Sequence, residues 1–96
     1  MTLNPASAID STEATLNWVA STEHDFDSYR LYRDEIPTVT TSSTLVVEID
    51  EIGITSFRDT DLQSSNQYYY RIFVVDNGSN PGSESTGSNT ITFSTF

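Results

Sequence analysis

Cysteine is absent from the 96 residues, and so is lysine. Without cysteine no disulfide braces the fold and no thiol is available for chemistry. That neither requires nor excludes secretion, because a domain of this size can stand on its core alone. Without lysine, positive charge rests on four arginines against fourteen acidic residues, a formal net charge of −10. Such a surface repels nucleic acid and anionic membranes, and it suits cations, basic partners or a salty medium. No run approaches the roughly 20 apolar residues of a membrane helix, and no segment has the form of a signal peptide. The single histidine, His24, has no cysteine companion. A structural zinc site wants about four ligands of Cys and His type, so His24 reads as an exposed loop residue.

What is present is a set of short alternating segments. Ninety-six residues suffice for one domain with a modest core, and an apolar content of 35% makes that core thin, as between two packed sheets. The densest stretch runs from Leu62 to Asp76. It opens on the turn formers Ser64, Ser65 and Asn66. It continues with Tyr68, Tyr70, Ile72 and Val74 on one face and Tyr69, Arg71, Phe73 and Val75 on the other. β-Branched and aromatic residues at period two give a strand, and bulk on both faces places it centrally in a sheet.

In chain order, Thr2 to Ile9 is a weak first strand interrupted by Pro5, tolerable at a sheet edge. Glu13 to Ala20 alternates, with Ala14, Leu16 and Trp18 inward. An acidic loop, Ser21 to Asp27, precedes a strand with Tyr29 and Leu31 inward and Arg30 and Tyr32 outward. Thr38 to Thr44 reads as a short edge strand or a loop. Leu45 to Ile49 and Ile54 to Arg58 read as two strands around a turn at Asp50 to Gly53. Asp76 to Gly87 is the longest loop, and Ser88 to Thr95 closes the chain with Ile91 and Phe93 on one face. With no helical period and regular turn signals, the expected fold is all-β, a sandwich of six or seven short strands.

The segments A-T-L-N-W ending at Trp18, S-Y-R-L-Y-R from Ser28, T-S-F-R-D-T-D-L from Thr55 and Y-Y-Y-R-I-F-V-V-D-N-G from Tyr68 carry a resemblance across nearly the whole chain. Together they resemble a fibronectin type III domain, in wording closest to modules of bacterial extracellular proteins. Trp18 on the second strand, without cysteines, separates the chain from an immunoglobulin domain, where tryptophan lies on the third strand against a disulfide. The resemblance implies an immunoglobulin-like sandwich of seven antiparallel strands in two sheets, spanning residues 1 to 96 as a single domain excised from a larger protein. It implies that Leu62 and Tyr68 form a tyrosine corner, the hydroxyl bonding back to the preceding loop. The expected core is Trp18, Tyr29, Leu31, Leu62, Tyr68, Tyr70, Ile72 and Val74.

The resemblance also gathers the loops carrying Glu23, Asp25 and Asp27, then Asp50 and Glu51, then Asp76, Asn77 and Glu84 at one pole. Oxygen ligands on loop backbone suit Ca²⁺, yet no D-x-D-x-D-G pattern is present and a solvated acidic rim explains the same residues. Asp25 and Asp27 have the spacing of a carboxylate pair. With fourteen acids on a small surface, such proximity is ordinary. No Ser-His-Asp order or nucleophile elbow accompanies the serines, so no enzyme and no cofactor are expected.

The more distinctive surface is the outward face bearing Arg30, Tyr32, Tyr69, Arg71 and Phe73. Aromatic and arginine side chains are enriched at protein contacts, and tyrosines stack on sugar rings. Ordinary cross-strand pairing explains the same pattern. The expectation is a non-catalytic spacer or interaction module of a secreted or cell-surface protein, monomeric as a fragment, that positions neighbouring domains. The rival is a module recognising protein, carbohydrate or Ca²⁺ through the acidic loops or this aromatic face. No R-G-D tripeptide is present, so the integrin-binding role of some relatives is not implied. Asn77-Gly78-Ser79 matches a glycosylation sequon.

Overall fold

A computed structural model describes residues 2–22, 26–76 and 87–96. Among these residues six strands form in order: β1 (Ala14–Asn17), β2 (Phe26–Asp34), β3 (Thr44–Ile49), β4 (Ser56–Asp59), β5 (Gln67–Asp76) and β6 (Ile91–Ser94). They make two antiparallel sheets, β1-β4 and β3-β2-β5-β6, packed as a sandwich.

The seventh strand, expected over Thr2 to Ile9, does not form a ladder. It is reduced to two bridges, Leu3 with Trp18 and Ser7 with Thr15. Pro5 has no N–H to donate between them, and Ala8 takes a left-handed φ of 49° just beyond. Backbone that turns left-handed leaves the pleat, so pairing stops there.

The segments expected around the Asp50–Gly53 turn both form strands, but not with each other. β3 joins β2, whereas β4 joins β1. The turn, closed by the Ile54 N–H donating to the Glu51 carbonyl at 3.1 Å, therefore carries the chain from one sheet to the other. Residues 38–43 form no strand; they turn back on themselves through bonds between Thr40 and Ser43.

β5 lies between β2 and β6, and its inward face carries Tyr68, Tyr70, Ile72 and Val74 into the main core. There they meet Leu16 and Trp18 from the facing sheet, Tyr29 and Leu31 from β2, and Leu62 from the loop before β5. All eight side chains expected in the core are buried. Tyr70 stacks on Phe93 at 5.4 Å, and Trp18 tilts against Tyr29 at 5.6 Å. Offset and tilted pairs of this kind contribute about 0.5–1.5 kcal/mol beyond their area.

The described residues span 43 × 24 × 18 Å. Ten residues of β5 at ~3.3 Å each extend about 33 Å, more than either short dimension, so the strands run along the long axis. At one end the Val19 N–H donates to the Thr2 carbonyl at 3.1 Å, and at the other the Ser65 N–H donates to the Phe96 carbonyl at 3.0 Å. The first and last segments thus leave the sandwich at opposite poles.

Candidate interaction face

On β2 and β5, Tyr32 pairs with Arg71 and Arg30 with Phe73, so these side chains share the face turned away from the main core. The structure brings them together but does not leave them in solvent. Tyr32 and Phe73 retain 4% and 7% of their exposure, beneath Val39. Val39 is the one large apolar residue in the Thr/Ser run after β2, and burying it folds that run across the sheet. Tyr32 and Phe73 meet edge to face at 5.5 Å, and the half-buried Tyr69 packs against them.

The arginines are likewise engaged within the chain. Arg71 lies 4.9 Å over the Phe73 ring, donates from Nε to the Ser88 carbonyl at 2.8 Å, and reaches the Val39 carbonyl at 3.3 Å. Gly87 packs onto the same pair, since a Cβ there would lie 2.5 Å from the Phe73 ring and 2.7 Å from Arg71 Nε. Arg30 holds Glu48 at 2.6 Å. That hydrogen bond is the main reason the Arg30 guanidinium moves up from its ordinary value and the Glu48 carboxyl moves down. The expected open face is therefore largely a second, smaller core, roofed by Val39. A lone valine among threonines is the signal that sequence reading passed over.

At the acidic pole, Asp27, Asp50 and Glu51 are exposed. Glu23, His24, Asp25, Asn77 and Glu84 lie outside the described residues, as does the side chain of Asp76, whose backbone pairs with Phe26. Among the described residues, no group of three or more His, Asp or Glu side chains is arranged to hold a metal ion. The Tyr29 hydroxyl anchors the backbone of this pole: it accepts the Ser21 N–H and donates to the Ile52 carbonyl, both at 2.8 Å.

The opposite pole is tied down by two tyrosines. Tyr68 accepts the Gln63 N–H at 2.7 Å, the geometry of a tyrosine corner. Beside it lies a buried polar group that sequence reading missed. Asp59 holds Arg33 at 2.6 Å and accepts the Tyr70 hydroxyl at 2.7 Å. Burial lowers the basicity of Arg33, but the hydrogen bond and charge of Asp59 more than offset it, and the net shift is upward. Burial first, and Asp59 second, push the Tyr70 phenol far above its ordinary value. Strand parity could have found the group: Arg33 continues the inward series Tyr29, Leu31, and Asp59 follows inward Phe57 by two.

Arg33, Asp34, Glu35, Thr44, Asp61, Gln63 and Tyr68 line a shallow polar cavity at this pole, about 180 Å³.

No protein-family model matches the chain, and no curated protein matches it. Solved structures do. A fibronectin type III domain from the human KIAA0970 protein superposes with a TM-score of 0.75 at 17% identity, covering 99% of this chain and 72% of that one. A β-1,2-glucanase from Parabacteroides distasonis matches with a TM-score of 0.77 at 22% identity, over 99% of this chain but only 12% of the glucanase. The sensor domain of the anti-sigma factor RsgI4 of Pseudobacteroides cellulosolvens matches with a TM-score of 0.68 at 22% identity, over 99% of this chain and 91% of that one. The fold is that of a fibronectin type III-like sandwich. Domains of this fold occur as modules of larger proteins, as the share of the glucanase shows.

Proposed function

We propose that this chain is a non-catalytic spacer module of a larger secreted or cell-surface protein, of bacterial type, and that it sets the separation and orientation of the domains on either side. The observation that carries this reading is the exit of the first and last segments at opposite poles of a 43 Å sandwich. A unit built that way transmits position along its length, whereas one with adjacent ends would hang as a side branch. The inward use of the aromatic face supports the same reading. Arg71, Tyr32 and Phe73 are occupied by Val39 and Gly87, leaving little of them for a ligand.

The role is tested in the parent protein by deleting residues 2–96 or replacing them with an unrelated sandwich of equal length. Restoration of parent activity by the replacement, but not by a flexible linker, is expected. If the unrelated sandwich fails while this module carrying Tyr69→Ala succeeds, the specific surface lies elsewhere and the role is more than spacing. Should Tyr69→Ala itself abolish a partner's binding without loss of fold, the rival reading as a recognition module replaces this one.

A further inference from the structure

β3 is the outermost strand of its sheet, and among the described residues nothing pairs with its far side. Its side chains show the consequence. Val47 and Ile49 stand opposite Leu31 and Tyr29, which keep 1% of their exposure, yet both are only half-buried. Leu45, opposite Tyr32 on the outer face, is 48% exposed. In the facing sheet β4 pairs only with β1, and its Phe57 is half-buried too. Asn89, just before β6, bonds to Leu3, which bridges to Trp18 on the side away from β4. The β6 side of one sheet therefore lies over the β1 side of the other, and β3 lies over β4. That second seam is open along Val46, Val47, Ile49 and Phe57.

We propose that the free edge of β3 takes up an extended peptide segment of another polypeptide as an added strand, its centre β-branched and its two ends basic. An unpaired edge offers backbone N–H and C=O groups to any extended chain, and the flanking side chains supply selectivity. The sequence of β3 suits this: five of its six residues are β-branched or apolar, with no proline and no glycine. Proteins commonly blunt such an edge with lysine or proline. Here the one charge on the strand, Glu48, is already held by Arg30. Val46 has no partner on β2, and a bulge of this kind bends the strand, which favours a pliable peptide over a second rigid edge.

Charge identifies the occupant. Asp34 accepts the Ser43 hydroxyl at 2.8 Å just before β3, and Asp34, Glu35 and Asp61 line the cavity of about 180 Å³ there together with Thr44. Asp50 and Glu51, both exposed, follow Ile49 at the other end. None of these five carboxylates is in an ion pair with another described residue, and Arg33 in the cavity is already held by Asp59. Both ends of the edge therefore favour positive charge, and the cavity is a receptacle for one basic side chain. A second copy of this chain brings the same acids. Antiparallel β3–β3 pairing sets Asp50 and Glu51 of each copy beside Asp34 and Glu35 of the other, like charge on like. The proposal does not depend on the spacer reading, since a flank so occupied leaves both ends of the sandwich free.

The experiment titrates the isotope-labelled chain with the synthetic peptide R-V-T-V-T-V-R and follows its backbone amides by NMR and hydrogen exchange. The β3 amides that point away from β2 are expected to shift and to gain protection. The peptide E-V-T-V-T-V-E should bind about tenfold more weakly or worse, and R-V-T-P-T-V-R, which lacks a central N–H, should not protect β3. Leu45→Lys, at an exposed position, should keep the spectrum of the folded chain and lose the first peptide. Glu35→Gln with Asp61→Asn should weaken that peptide and narrow its advantage over the acidic one. Unmoved β3 amides, or equal binding of the proline peptide, overturn strand addition and leave the spacer reading intact. Equal binding of the acidic peptide overturns the occupant. A chain that dimerises through β3 without peptide as salt is raised shows that the edge serves a second copy, and that also overturns the proposal. If Leu45→Lys unfolds the chain, the Glu35→Gln, Asp61→Asn variant decides, and unchanged binding there counts against the proposal.

Discussion

The side-chain amide of Asn89 and the backbone of Leu3 exchange two hydrogen bonds across 86 positions of sequence. The Leu3 N–H donates to Asn89 Oδ1 at 3.0 Å, and Asn89 Nδ2 donates to the Leu3 carbonyl at 2.9 Å. One side chain thereby plays the part of a missing strand partner and closes the seam between the two sheets, joining the first described segment to the last.

Asn89→Ala strands both groups of Leu3, a residue that is itself buried. An unsatisfied buried polar group costs about 1–3 kcal/mol. The variant should unfold at lower urea with an unchanged slope, and the Leu3 amide should lose protection from hydrogen exchange. Asn89→Asp keeps an acceptor but loses the donor, so it should not restore the parent midpoint.

Tyr68→Phe removes the acceptor of the Gln63 N–H at the tyrosine corner. A loss of roughly 1–3 kcal/mol is expected, on the same grounds. An unchanged midpoint in denaturant contradicts the assignment of Tyr68 as the tie between the loop and β5.

Tyr70 makes stability depend on alkaline pH. Its phenol is shifted upward by burial and by the adjacent Asp59, so above pH ~10 the unfolded chain loses a proton that the folded chain keeps. The folded state then binds more protons than the unfolded one, and stability falls as pH rises. The contribution is complete below the ordinary tyrosine value and declines above it, by up to about 1.4 kcal/mol per pH unit for this one group. Tyr70→Phe should be less stable than the parent at pH 7, where it leaves Asp59 one donor short, and should show a shallower decline between pH 10 and 11. Equal slopes for the two proteins contradict the attribution to Tyr70.

Ser65 occupies a left-handed φ of 57° in the turn before β5. A residue with a Cβ pays about 1–2 kcal/mol there, and glycine avoids it at the expense of about 0.4–1 kcal/mol of added freedom in the unfolded chain. Ser65→Gly should therefore stabilise the domain by up to about 1 kcal/mol, and Ser65→Val should destabilise it. A glycine variant that melts below the parent contradicts this.

The parts of this fold legible in the sequence are those written in local periodicity. Tyr68 to Val75 announces a central strand because both of its faces carry bulk, and Leu16 and Trp18 announce the facing sheet by simple alternation. The tyrosine corner was legible because its two members stand six residues apart and carry their chemistry in the tyrosine hydroxyl. What was not legible depends on long-range partners. Nothing near Asn89 marks it as a surrogate strand for Leu3. Tyr32 and Phe73 look like surface residues until Val39 is folded over them, and only tertiary contact brings it there. Parity marks Arg33 and Asp59 as inward on their own strands, but that the two meet each other depends on how the two sheets pack.

The central claim is geometric, and the cysteine-free sequence makes it directly measurable. Spin labels on Thr2→Cys and Phe96→Cys, read by pulsed dipolar spectroscopy, report the separation of the two ends in solution. One narrow population, longer than the 24 Å width of the sandwich, is expected, unchanged by modest denaturant until the domain unfolds. A population shorter than the 24 Å width would place both ends at one pole and contradict the spacer reading.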